Sequence, residues 1–400
     1  MKNLNSDKPY IEKGGILFGT KKDRYYINGS DTHTLVIGAT RSGKSRSIVL
    51  PTIGIEGLAG ENMVVSDPKG ELHQYTYPFL EALGYNVFVL DFKNPDRSDH
   101  FNFLQEVIDA INDDNIPLAQ KKALDITEAL VGNDTSSEKI WSEGEKSIMA
   151  ACILAVVYDN KEHPEYQNLT NVYHFINNMC EMSDNPPLKR YIDTIEALNP
   201  NHPALALISA TRVAPSKTQG SFNISALATL RLFADINVYN LTKSNSFKIE
   251  DLNDQKTAIF IILPDYNTTY YGVASLFVDQ IYTKLADVAD LQGGRLKRRV
   301  NFILDEFGNF AVIPDFATKL TVAGGRGIRF NLFLQSTAQL ESDSKKVKYG
   351  KEGARTIVGN CEYWIFLSSD LDTRKMISEE IGDYTTMSNS ESNSYNGTRL

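Results

Sequence analysis

Long apolar runs are missing from this 400-residue chain. The longest extends from Ile148 to Tyr158, short of the roughly 18 residues that a membrane-spanning helix needs. No basic segment followed by an apolar one opens the sequence, so no signal peptide is expected. Cysteine is scarce. Cys152, Cys180 and Cys361 stand far apart, with no CxxC or Cys/His spacing, which excludes a disulfide framework and reads as reduced thiols. The six histidines are scattered and leave no clustered set of metal ligands. A basic excess is missing too: 41 Lys and Arg face 50 Asp and Glu, a net charge of −9. A chain that coats nucleic acid by bulk charge is thereby excluded, because such domains are basic. Any contact with DNA must be local.

What is present describes an ordinary globular protein, 42% hydrophobic and 23% charged, of a length that suits two or three domains. The acid is unevenly placed. Residues 105–235 hold 18 Asp and Glu against 10 Lys and Arg, and the remainder holds 32 against 31. The middle of the chain is acidic and the rest is close to neutral.

Outside that segment, short β-rich runs recur at 34–37, 63–66, 87–92, 257–263, 300–304, 330–335 and 363–368. Most are continuously apolar, as in strands buried on both faces of a parallel sheet. Helical patterns lie between them, at 43–54, 270–289 and 315–323. This alternation predicts a doubly wound, mostly parallel α/β sheet. The acidic segment shows helical spacing at 118–131, 143–158, 169–180, 188–198 and 204–213. The expected division is therefore an α/β domain of 1–104 and 236–400, with an all-helical insert at 105–235. The Ser- and Asn-rich stretch 385–400 reads as loop.

Gly38-Ala39-Thr40-Arg41-Ser42-Gly43-Lys44-Ser45 fits GxxxxGK[ST], with a strand before it and a helix after it. Glycines let backbone N–H groups turn inward around a phosphate, and the helix N-terminus adds partial positive charge. Lys44 is expected to reach the β- and γ-phosphates of ATP, and Ser45 to ligate Mg²⁺. Arg299-Val300-Asn301-Phe302-Ile303-Leu304-Asp305-Glu306 is an apolar strand ending in two carboxylates, a Walker B element. Asp305 would hold Mg²⁺, and Glu306 would orient or deprotonate the attacking water. A third strand ends in Gln335, placed to contact the γ-phosphate or water. Just upstream, Gly324-Gly325-Arg326-Gly327-Ile328-Arg329 offers Arg326, with Arg329 as the alternative, as an arginine finger for a neighbour's site. The run Ser66-Asp67-Pro68-Lys69-Gly70-Glu71 lies where ligands bind in α/β sheets, at a strand's carboxyl end. The basic cluster Arg295-Leu296-Lys297-Arg298-Arg299 is expected to be a solvated turn, with DNA phosphate or lipid as the other reading.

With these pieces in order, the chain resembles the TraG/VirD-type coupling proteins of conjugation and type IV secretion. The likeness covers nearly the whole sequence. It rests on the P-loop, the Asp67-Pro68-Lys69-Gly70-Glu71-Leu72 run, Thr218-Gln219-Gly220-Ser221, Leu304-Asp305-Glu306-Phe307, Gly325-Arg326-Gly327-Ile328, Leu334-Gln335-Ser336 and Ile377-Ser378 with Ile381-Gly382. The resemblance implies a RecA-like ATPase domain, an inserted all-α domain and a homohexameric ring. It also implies ATP-driven delivery of a relaxase–DNA complex to the channel ATPases and membrane subunits of a secretion system. Its place would be the cytoplasmic face of the bacterial plasma membrane. Many members begin with membrane helices and continue past the Ser-rich stretch, so the chain is expected to be either a soluble piece or a member recruited by a partner. Rival readings are a DNA translocase similar to FtsK or HerA, and a substrate receptor that does not hydrolyse. The acidic insert argues against the first; Lys44, Ser45, Asp305 and Glu306 argue against the second. The acidic segment itself is expected to attract basic protein cargo and to repel DNA.

Overall fold

The computed structural model describes residues 9–22, 24–132, 139–179, 186–343 and 346–383. The Ser- and Asn-rich stretch and Cys180 lie outside the described residues. Two strands, β1 (Ile16–Lys21) and β2 (Arg24–Asn28), pair antiparallel at the start. Then come β3 (His33–Gly38), β4 (Asn62–Asp67), β5 (Asn86–Asp91), β6 (Thr257–Ile262), β7 (Val300–Leu304) and β8 (Ile328–Leu334). A two-residue pair, β9 (Ser342–Asp343) and β10 (Lys346–Val347), precedes β11 (Cys361–Ser368).

Seven strands form one sheet in the order β11-β3-β8-β7-β4-β6-β5. Every pairing in it is parallel, so the expected mostly parallel sheet is wholly parallel. Successive side chains along a strand point to opposite faces, and here both faces are covered. Val36, Met63, Val65, Phe260, Ile303 and Phe333 point to one side, under the helices Leu50–Leu58 and Glu71–Ala82. Leu35, Ile37, Val64, Phe302 and Leu332 point to the other, under the helices Tyr271–Leu291 and Phe316–Ala323. This double coverage explains why the strand sequences are apolar throughout instead of alternating.

Between β5 and β6 the described residues form helices and turns without a strand, over and beyond the 105–235 expected as an insert. Its helices extend beyond the anticipated end. Asp235 caps a further helix, Ile236–Thr242, by accepting from Asn237 N and Val238 N. The helix Ser216–Leu230 was not anticipated. It buries Phe222, Ala226 and Leu230, but Ile224 and Ala228 lie exposed on the other side, so its apolar residues do not sort to one face. It is held from outside: Phe222 lies over Gly144 so closely that a Cβ there would come within 2.5 Å of the ring.

The helical segment shares a core with the sheet. Val107, Ile111, Ala123, Met149 and Leu154 belong to the same continuous cluster as Leu35, Phe302 and Leu332. A seam of charge reinforces the join. Lys122 bridges Glu106 at 3.0 Å and Asp287 at 2.8 Å, and Lys284 bridges Glu106 at 3.3 Å and Glu250 at 2.8 Å. Gln280 donates to Phe103 O at 2.9 Å. Asp287, Lys284 and Gln280 all lie on the helix Tyr271–Leu291.

Candidate active site

In a parallel sheet the strands' carboxyl ends share one edge, and ligands bind there. That edge brings together the ends of β3, β8, β7 and β4, and with them the P-loop and the Walker B carboxylates Asp305 and Glu306.

Gly38 ends β3, and the chain turns there. A Cβ on Gly38 would meet Ser42 Oγ at 2.4 Å and Lys44 Cγ at 2.8 Å, so only glycine fits. Arg41 and Gly43 have φ values of 66° and 88°, left-handed conformations that fold backbone N–H groups inward. Ala39 N donates to Ser368 O at 2.7 Å, so the end of β11 fastens the loop. Ser45 opens a π-helical turn, Ser45–Val49, which runs into the helix Leu50–Leu58.

Lys44 is 6% exposed. Its Nζ donates to Gly38 O at 2.7 Å and Leu334 O at 3.3 Å, and lies 3.7 Å from Glu306 Oε1. Ser45 Oγ donates to Asp305 Oδ2 at 2.9 Å. Burial and the adjacent Glu306 carboxylate push the Asp305 carboxyl up to about 6, while the Ser45 hydroxyl and Lys44 pull it back. Glu306 itself is left-handed, with φ 53° and ψ 39°, a conformation that costs a non-glycine residue about 1–2 kcal/mol. Its N–H donates to Asp305 Oδ1 at 3.0 Å, and Gln335 Nε2 donates to Glu306 Oε2 at 2.9 Å. Because β8 lies between β3 and β7, Gln335 stands between the P-loop and the Walker B pair.

Together these groups line a cleft of about 550 Å³, a size suited to a small-molecule ligand. The donor set fits a phosphate chain with a hard cation. Ser45 and Asp305 supply oxygen ligands of the kind Mg²⁺ takes in ones and twos beside water and phosphate. Ser42 Oγ is buried inside the loop without a partner, as expected of a donor kept for an anion.

The remaining predicted residues are placed as follows. Asp67 lines the cleft, but its carboxylate accepts from Gly70 N and His73 N, both at 2.8 Å, and so caps the helix Glu71–Ala82. Lys69 and Glu71 also line it. The basic cluster is the expected exposed turn at Arg295 and Lys297, but its charges are paired, and Arg299 is largely buried. Arg295 pairs with Asp31 at 2.7 Å, Lys297 with Asp254 at 2.6 Å and Arg299 with Asp31 and Glu61, while Arg298 donates to Gly60 O. Arg326 lies at the opposite end of β8 from the cleft and pairs with Asp290 at 3.1 Å. Arg329 is no alternative finger. It is 2% exposed and is held by Glu61 at 2.9 Å and Glu56 at 3.4 Å. Burial, with the like charge of Glu61 and against the pull of Arg329, pushes the Glu56 carboxyl up to about 8. Sequence reasoning also missed Tyr271, which lines the cleft with no motif around it to mark it.

The fold is RecA-like, with a P-loop sequence at its ligand-binding edge. Among the described residues no helix is long and apolar enough to cross a membrane. The chain belongs to the family described as Type IV secretory system Conjugative DNA transfer, whose model matches residues 2–399. It is 25% identical to protein VirD4 of Rhizobium rhizogenes over 397 residues, which are 95% of this chain and 53% of that protein. It is 24% identical to the conjugal transfer protein TraG of Escherichia coli over 377 residues, 90% of this chain and 57% of the relative. The chain thus spans about half the length of the curated relatives it matches. Among solved structures it is similar in fold to the bacterial conjugative coupling protein TrwBdeltaN70 in its unbound monoclinic form. There the TM-score is 0.66 at 18% identity, with 93% of this chain and 76% of the other covered. It is likewise similar to the plasmid coupling protein TrwB in complex with ADP and Mg2+. That match has a TM-score of 0.64 at 18% identity and covers 88% and 74% of the two chains.

Proposed function

We propose that this chain is the motor of a coupling protein, which hydrolyses ATP to drive DNA, with its bound relaxase, into a type IV secretion channel. The observation that carries the reading is the linked set Lys44, Ser45–Asp305 and Glu306–Gln335 on one sheet edge. Membership of a conjugative DNA-transfer family supports the substrate, and the TrwB complex with ADP and Mg2+ supports the ligand.

The backbone of residues 38–45 cradles the phosphates, and Lys44 counters their charge. Ser45 and Asp305 are the residues that hold Mg²⁺; bound there, it neutralises charge developing on the phosphate oxygens. Glu306 orients the attacking water and accepts its proton, its Oε2 fixed by Gln335. Loss of the γ-phosphate changes what faces Gln335 and Glu306, and β8 carries that change away from the cleft. The acidic helical segment serves basic protein cargo such as a relaxase, by an attraction that rising salt weakens; capture insensitive to salt rejects that assignment. The motor works as a homohexamer at the cytoplasmic face of the membrane, beside the channel's own ATPases and membrane subunits.

The test is phosphate release by the wild-type chain with single- and double-stranded DNA, using Lys44→Ala as the blank. Hydrolysis stimulated by at least one form of DNA is the expected result. No release above the blank under any condition rejects the motor reading.

Arg326 is expected to act across a subunit boundary, because it lies at the far end of β8 from its own cleft. Mixing Lys44→Ala with Arg326→Ala subunits, each inactive alone, should restore part of the activity, since some boundaries in a mixed ring join one intact P-loop to one intact arginine. Mixed rings that form and stay inactive at every ratio rule this out.

A further inference from the structure

Tyr271 opens the helix Tyr271–Leu291 and is 1% exposed. A buried phenol normally finds a hydrogen-bond partner, since leaving a polar group dry is costly. Tyr271 Oη has none. The Asn309 side chain, on the turn that follows Glu306, approaches it without forming a hydrogen bond of normal geometry. The ring is fixed edge-on against Phe310, with centroids 5.5 Å apart and planes at 78°. The residue lines the same cleft as Lys44, Asp305, Glu306 and Gln335.

Burial, joined by the carboxylates of Glu306, Asp305 and Asp265 and opposed by the Asn309 side chain, pushes the phenol up to about 12. It therefore keeps its proton at neutral pH and stays a hydrogen-bond donor. In a cleft already crowded with carboxylates, an O–H donor without a partner suits an anionic ligand oxygen. The P-loop lies across the cleft, and Glu306 holds the water side of the reaction.

We infer that Tyr271 is a further catalytic residue, whose phenolic O–H donates to an oxygen of the terminal phosphoryl group of the bound nucleoside triphosphate. The inference rests on the proposed ATPase function. It adds a phenolic donor to Lys44, the backbone amides of the loop and the Ser42 hydroxyl. Charge builds on the terminal phosphoryl oxygens as the bond to the leaving group breaks, so the donor is worth most in the transition state. No proton is transferred from it; the proton of the attacking water goes to Glu306.

The experiment uses the full chain with Tyr271→Phe, which removes one oxygen and keeps the ring. Three readouts are taken: the melting temperature without nucleotide, the affinities for ADP and for a non-hydrolysable ATP analogue, and kcat. Deleting an unpartnered buried hydroxyl should leave the melting temperature unchanged or raise it. Affinity for the triphosphate analogue should fall about tenfold while that for ADP is unchanged, and kcat should fall on the order of 10²-fold. A purely structural tyrosine gives the reverse pattern: a lower melting temperature and equal losses for both nucleotides. An unchanged preference between triphosphate and diphosphate overturns the inference whatever happens to kcat. A wild-type chain that binds neither nucleotide rejects the ATPase reading instead, so the two failures are distinguishable.

Discussion

Glu306→Gln should bind ATP as the wild type does and turn it over at least about 10²-fold more slowly. The side chain keeps its shape, and its amide oxygen can still accept from Gln335 Nε2, which now spans 2.9 Å to Glu306 Oε2. What it loses is charge and basicity, and with them the ability to take the water's proton. Binding survives because the phosphate contacts belong to residues 38–45 and to Lys44. The change also relieves Asp305, whose carboxyl is raised by burial and then by the neighbouring Glu306 charge. With that charge gone, Asp305 ionises more readily, and the metal position is strengthened. Single-turnover phosphate release beside fluorescent ATP binding separates the two steps. Turnover within threefold of wild type would remove Glu306 from its assigned role.

Arg329→Met should cost about 3–5 kcal/mol of folding stability, the scale seen when one partner of a buried ion pair is removed. Arg329 Nε donates to Asn301 Oδ1 at 2.7 Å. Its Nη1 reaches Asn28 O at 3.3 Å and Ser30 O at 3.2 Å, and its Nη2 meets Glu61 and Glu56. One guanidinium thus joins β8, β7, the end of β2 and the P-loop helix at the foot of the sheet. Methionine fills much of the volume but leaves Glu56 without a cation and Glu61 with Arg299 alone. Adding Glu56→Gln should recover little of the loss, because the Glu56 carboxyl, raised to about 8 by burial, is already largely uncharged at neutral pH. Arg329→Lys should not recover it, since an ammonium cannot reach the same fork of partners. Urea unfolding at neutral pH gives the values. A loss under about 1 kcal/mol contradicts the buried-pair account.

Those two positions mark the limits of what the linear sequence discloses. The P-loop and the Walker B pair were legible because each is contiguous, and the chemistry requires its residue types at that spacing. The five inner strands were legible because burial on both faces leaves them largely apolar, and the half-exposed edge strands β5 and β11 because they are rich in β-branched and aromatic residues. Arg329 was not. It sits beside Arg326 in a glycine-rich turn that reads as exposed, yet its carboxylate partners Glu56 and Glu61 are more than 260 residues away. Pairing over such a separation leaves no local pattern. The helix Ser216–Leu230 escaped for a related reason, since its fold is imposed by Gly144 and Phe222 meeting across the segment. Tyr271 is visible only once the helix that bears it is seen to start at the cleft.

Arg326 and Gln335 flank the two ends of one strand. Seven residues at about 3.3 Å each span roughly 20 Å, farther than an arginine side chain extends. A subunit that lends Arg326 must therefore turn the amino-terminal edge of its sheet toward the carboxyl-terminal edge of the next. Such a contact is heterologous: each copy offers a socket at one end and a plug at the other. Repetition closes into a ring only if the rotation per copy divides the circle, and otherwise grows an open helix. Either assembly has a polarity set by strand direction. Each cleft then answers to the neighbour on one side alone, which gives any sequence of firing around the ring a built-in hand.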